Sequence, residues 1–239
     1  MATREQSPRL QAVLWPFKTA FFVWLFVFLL GLLAIGFQMS MAKLVWGVPE
    51  TTQKVRSFLV RDVERTYIQG QETSLTRWAV KGARAAYWMF FKATLIDRLM
   101  TNAATLGNDD LLDHGGDVLV RNNLVYRLQD ELNLSIYVVQ DCGVRLVLLI
   151  AAWPLYLLAY LVGLMDGLAQ RSVRRACAGR ESSSLYHRAK YLQFVVFVMA
   201  GMVYVLLPYS IKPEWFVIPL AVTLAWLSRM QWAFLKKYL

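Results

Sequence analysis

Leu146–Met165 reads LVLLIAAWPLYLLAYLVGLM, and Asp166–Lys190 then reads DGLAQRSVRRACAGRESSSLYHRAK. The first segment carries no charge and has the length of about 20 residues that a helix needs to cross a hydrocarbon core. The second is basic, and a third apolar run, Tyr191–Ile211, follows it. Apolar run, basic elbow, apolar run is the pattern of two spans joined by a short loop. It predicts an all-α, polytopic membrane protein.

Working outward, Thr19–Ala42 is another uncharged run, and Trp215–Leu235 is a fourth, weaker one because Arg229 interrupts it. An arginine near a span end can reach the headgroups by snorkelling. We therefore expect about four transmembrane helices. The predicted divisions are an N-terminus at 1–18, spans at 19–42, 146–165, 191–211 and 215–235, a helical segment at 43–145, a basic hairpin at 166–190 and a tail at 236–239. Of the 239 residues, 57% are hydrophobic and 14% aromatic, and many of the nine tryptophans flank the apolar runs. Amphipathic rings favour that place, the membrane interface. The first run, with Arg4, Arg9 and Lys18 before it and Ser40-Met41-Ala42 after it, has the outline of a secretory signal. It is much longer than the usual ~7–15 residue signal core, so an uncleaved signal anchor is expected.

The formal net charge of +10 has a topological explanation. Arg4, Arg9 and Lys18, then Arg171, Arg174, Arg175, Arg180, Arg188 and Lys190, then Lys236 and Lys237 all fall on one side of a four-span chain. The positive-inside rule puts that side in the cytoplasm of a bacterial inner membrane, with both termini. Lys43–Arg145 then lies in the periplasm; its 13 basic and 12 acidic residues nearly cancel. Cys142 and Cys177 come to opposite sides and should not pair, although Cys142 could bridge to another chain.

The periplasmic segment reads as helical. Val55, Phe58, Leu59 and Val63 have helical spacing within Thr51–Gln69, and Thr73 or Ser74 can cap a second helix reaching about Leu106. With Lys92 inside it, that helix suits a core or interfacial amphipathic position better than a fifth span at 78–100. Gly107–Asp117, GNDDLLDHGGD, is a loop by composition. Its Asp109, Asp110, Asp113, His114 and Asp117 lack the EF-hand order, so a solvated acidic loop is the better reading than a cation site. From Val118 a helix resumes towards the next span, with an interruption expected near Cys142-Gly143.

In the hairpin, the helix should continue past the bilayer, stop at Ala178-Gly179, and restart under a cap at Ser182 or Ser183. Arg174, Arg175, Arg180 and Glu181 are close enough in sequence for ion pairs across it. A topogenic loop that also meets anionic lipid, a docking face for a cytoplasmic protein, and phosphate or DNA contact by arginines are the three readings. Direct DNA contact is the weakest, since basic loops are general in such proteins. Gly163 and Gly167 form a small-xxx-small pair for helix packing. Asp166, at the membrane edge, should pair with Arg171 or another hairpin arginine; a proton relay is the lesser alternative.

VGLMDGL, RxxRR, AGRES and YHRA in this hairpin, with Leu206-Leu207-Pro208, Pro213 and the closing FLKKYL, resemble a family of integrating-conjugative-element membrane proteins. The resemblance covers Val162 to the C-terminus and, by pattern, the first span. It implies an accessory inner-membrane part of conjugative DNA transfer, encoded near the coupling ATPase that feeds a type IV secretion channel. It supplies no catalytic residue.

No P-loop, H-E-x-x-H, G-x-S-x-G or Cys/His ligand spacing occurs, so neither an enzyme nor a cofactor is expected. A small transporter or channel is the alternative class. It usually shows internal repeats and charges mid-membrane, and the predicted spans show neither. An adaptor for the coupling ATPase and other type IV secretion inner-membrane proteins, with room for self-association, remains. Arg171, Arg174, Arg175, Arg180, Glu181, Tyr186, His187 and Arg188 are the expected contact residues.

Overall fold

The computed structural model describes residues 8–93, 117–177 and 183–235. Seven α-helices occur among them: α1 (Pro8–Met41), α2 (Val48–Glu64), α3 (Ser74–Tyr87), α4 (Asp117–Ala151), α5 (Trp153–Ala176), α6 (Ser183–Leu206) and α7 (Pro213–Ala233). Among the described residues, three helical stretches are long and apolar enough to cross a membrane: Thr19–Trp46, Gln129–Ala176 and Ser184–Leu206. The second is far longer than one crossing needs, and only Leu146–Met165 within it is free of charge over a spanning length. The fourth expected run does form a helix, α7, with Arg229 and Gln231 in its last turns, but it is not in this apolar set.

Contacts divide the chain into two compact units. The first comprises residues 1–51 and 87–139. Here α1 is stacked along one edge by aromatic rings. Trp24 and Phe28 lie 5.3 Å apart, and Phe28 and Phe90 4.8 Å apart. Gly31 leaves room for Phe90, since a Cβ there would lie 2.2 Å from its ring tip. Phe90 and Phe91 are buried in a π-helical turn, Trp88–Lys92, that follows α3. The expected helix to Leu106 therefore changes geometry after Tyr87, and its remainder lies outside the described residues, as does the acidic loop apart from the start of α4. A second π turn, Ala42–Trp46, ends α1 at Gly47, whose φ of 78° suits a residue without a Cβ.

The second unit comprises residues 52–86 and 140–239. The helix predicted over Thr51–Gln69 ends sooner, at Glu64, because the chain reverses there. Gln69 and Gly70 both have positive φ, 53° and 76°. Ile68 and Gln71 exchange backbone bonds of 3.3 and 2.9 Å around them, as in a primed β-turn. Thr73 caps α3 by accepting the Thr76 N–H at 3.1 Å, and donates to the Thr66 carbonyl at 2.7 Å. Buried Thr76 donates to that same carbonyl at 3.0 Å. Three threonines thus close the α2–α3 corner.

The interruption expected at Cys142-Gly143 falls elsewhere. The helix runs through both residues and breaks between Ala151 and Trp153. Pro154, in the first turn of α5, is the cause. It has no N–H to give to the Ile150 carbonyl, and its ring crowds the preceding turn. Gly143 serves packing instead: a Cβ there would come within 2.5 Å of the Gly82 carbonyl oxygen, so α3 and α4 touch backbone to backbone. Ala79, Val144 and Leu148 are buried at this contact, with Leu59 and Val63 of α2 packed on them. Tyr156 of α5 and Val217, Leu220, Ala221 and Leu224 of α7 form a second core, against Val196 and Ala200 of α6.

Candidate functional site: a buried arginine hub and a basic helix end

Arg145 lies at the start of the uncharged stretch of α4, and its side chain is only 2% exposed. Such a guanidinium is costly unless each of its N–H groups finds an acceptor. Nε donates to Asp62 Oδ2 at 3.2 Å. Nη1 donates to the carbonyls of Tyr204 at 3.1 Å and Leu207 at 2.5 Å. Nη2 reaches Asp141 Oδ2 at 2.9 Å and the Tyr209 carbonyl at 3.1 Å. These five acceptors match the five N–H donors of arginine.

The backbone explains why acceptors collect there. Tyr204 lies in the last turn of α6, where its carbonyl would accept from the residue four places on. That residue is Pro208, which has no N–H. Arg145 supplies the missing donor and so caps α6 from another helix. Asp62 is held in turn by Ser210 Oγ at 2.6 Å and Arg65 Nη1 at 3.0 Å. The hub therefore ties α2, α4, the end of α6 and the Leu207–Ser210 turn together.

None of Asp62, Asp141 and Arg145 was singled out from sequence. The available signal was local: Asp141 and Arg145 are four apart, one helical turn. Asp62 lies 83 residues from Arg145, beyond any local pattern.

At the α5–α7 crossing, Gly163 lets the Ala225 carbonyl approach to 2.2 Å of where a Cβ would be, and Gly167 does the same for the Arg229 carbonyl at 2.6 Å. Ser228 Oγ donates to the Tyr160 carbonyl at 2.9 Å across the same contact. Asp166 pairs with Arg229 of α7 at 2.7 Å, not with Arg171 or another hairpin arginine. With its amide turned, Gln170 also accepts from Arg229. Arg229 is thus held in a polar cluster on α5 rather than left alone in its helix. The cause is register: the close approach at Gly163 and Gly167 sets Asp166 and Gln170 beside the last turns of α7.

The expected contact residues gather at the C-terminal end of α5 and the N-terminal end of α6. Arg174 lies 3.8 Å from the centre of the Phe234 ring, and Arg175 is exposed. Arg171 Nε and Nη2 are shielded from solvent and have no hydrogen-bond partner among the described residues. Tyr186 and His187 meet edge to face at 5.2 Å, and His187 and Arg188 are exposed. Arg180 and Glu181, with the predicted stop at Ala178-Gly179 and the Ser182 cap, lie outside the described residues. α5 ends at Ala176 with Cys177 in a turn, and α6 starts at Ser183. Cys177 is exposed and Cys142 buried, and both are free thiols. Among the described residues, no group of three His, Cys, Asp or Glu side chains is arranged to hold a metal ion.

No curated protein and no solved structure matches this chain. A family model does, over residues 50–236, described as IncC plasmid conjugative DNA transfer protein DtrJ-like. That range contains both the arginine hub and the basic helix end. It agrees with the resemblance carried by the hairpin at the level of conjugative transfer. The chain therefore belongs to the DtrJ-like family of plasmid conjugative DNA transfer proteins.

Proposed function

We propose that this protein is a non-catalytic inner-membrane adaptor of conjugative DNA transfer, which anchors or orients the coupling ATPase of a type IV secretion channel. The observation that carries the reading is the contrast between its arginines. Arg145 is consumed by internal acceptors, whereas Arg171 Nε and Nη2 meet no hydrogen-bond acceptor among the described residues, Arg174 rests over the Phe234 ring and Arg175 is exposed, all in the last turns of α5. Guanidinium groups in such a position suit an acidic surface on a partner. In this reading α7 is the fourth span, both termini and the hairpin are cytoplasmic, and the 43–145 segment faces the secretion channel. Self-association and contact with membrane lipid are compatible with it, and direct DNA contact is not required.

Replacing Arg174 and Arg175 together by Ala should lower mating frequency and capture of the coupling ATPase, with membrane insertion unchanged. Normal transfer and normal capture by that variant would remove the basis for the adaptor role.

One observation favours the small-transporter alternative: Asp62, Asp141 and Arg145 form a buried charged cluster beside an apolar span, which the sequence did not lead us to expect. Its cation is fully occupied by fixed groups, which suits a structural tie. Solute-dependent flux in proteoliposomes of the isolated protein would favour the transporter.

A further inference from the structure

A groove of about 530 Å³ lies between α3 and the α4–α5 junction. Leu75, Trp78, Lys81 and Ala85 form one wall, and Val147, Ile150 and Trp153 the other. Its floor is the line where Gly82 and Gly143 bring the two helices into backbone contact; a Cβ on Gly82 would come within 2.4 Å of Val147 Cγ2. Ile150, Trp78 and Trp153 are 67%, 62% and 59% exposed.

We propose that this groove seats an acyl chain of an anionic phospholipid from the surrounding bilayer, with the Lys81 ammonium binding the phosphate. The α4–α5 wall belongs to Leu146–Met165, the stretch read as crossing the membrane, so a hydrocarbon chain is what meets it there. The groove has the volume of a small-ligand site. The lining is apolar apart from Lys81, and no carboxylate contributes to it. Charge complementarity selects an anionic headgroup. α3 carries Arg77, Lys81 and Arg84 and no acidic residue, and a basic amphipathic helix of this kind favours an anionic lipid surface. The Lys81 ammonium sits 5.3 Å from the Trp78 ring centre, at the polar end of an apolar wall. Indole rings on both walls are in keeping with an interfacial depth.

The test is retention of phosphatidylglycerol against phosphatidylcholine by the full-length protein, purified in mild detergent and read by native mass spectrometry. Wild type should retain phosphatidylglycerol preferentially. Lys81→Gln should cut that retention by about five-fold, the loss expected for one cation near an anionic headgroup, and leave phosphatidylcholine unchanged. Lys81→Arg should restore it. Ala85→Phe, which fills the groove, should reduce both lipids. Equal retention of the two lipids by wild type, or no response to Lys81→Gln, would overturn the proposal. So would an Ala85→Phe variant that loses a second copy of the chain instead of lipid. The inference rests on the bilayer placement of Leu146–Met165 and not on the adaptor role. ATPase capture, read separately, tells the two failures apart.

Discussion

Arg145 and Arg174 are the same residue type placed under opposite conditions. Arg145 is sealed inside the fold, with both nearby carboxylates and three carbonyls on its N–H groups. Arg174 rests over one aromatic ring at the end of a helix. The first is held by the fold and holds it. The second can lose its contact at little cost, which leaves its charge available to something else. The difference teaches that the sequence's abundance of arginine is not one signal but two, separated by burial: one consumed by the fold, the other left at its surface.

The largest effect should come from the hub. Arg145→Leu strips Asp141 of its cation and the end of α6 of its borrowed donor. Removing one partner of a buried ion pair costs about 3–5 kcal/mol, so thermal unfolding in detergent should shift strongly or folded protein should be lost. Arg145→Lys should recover only part, because an ammonium has three donors for five acceptors. If Arg145→Leu unfolds like wild type, the contrast between the two arginines collapses.

A smaller loss, about 1–3 kcal/mol, is expected for Gly163→Ala, since the new methyl must displace the Ala225 carbonyl of α7. Gly201→Ala is the matched control. Its nearest neighbour is Leu149 Cδ1, at 3.9 Å, an ordinary contact. That change should lie within about 0.5 kcal/mol of wild type or slightly stabilise α6. Equal destabilisation by both would show that the close α5–α7 crossing is not what the glycines serve.

Next comes the half-exposed pair. A double-mutant cycle on Asp166→Asn and Arg229→Gln should give a coupling of about 0.2–1 kcal/mol. A coupling of several kcal/mol would place this pair with the hub and move it out of the solvated class. The smallest stability effect is expected at Arg174→Ala, at most about 1 kcal/mol, the worth of an exposed cation–π contact. The double change with Arg175→Ala should be similarly mild in unfolding while lowering DNA transfer.

The apolar runs, the Thr73 cap and the helical periodicity of α2 were legible because each is written in neighbouring residues. Pro154 was equally visible, yet the break was expected at Cys142-Gly143. In the structure Gly143 provides closeness to α3, and proline does the breaking. Asp166 was expected to find its cation in the hairpin nearby in sequence. It found Arg229, 63 positions on by residue number, because the Gly163 and Gly167 crossing decides which turn of α7 lies alongside. The hub was illegible for the same reason.

The chain alone determines that most of it is helical, that several stretches are greasy enough for a bilayer, and that arginines crowd the joint between two of them. Hydrophobicity, charge and helical period are properties of residues and their near neighbours, so a linear reading suffices. Which arginine is buried, which carboxylate meets it and which carbonyl lacks an amide were decided only when α2, α4 and α6 met. Those are matters of distance between remote segments, set by side-chain packing and by the need of every buried donor and acceptor for a partner.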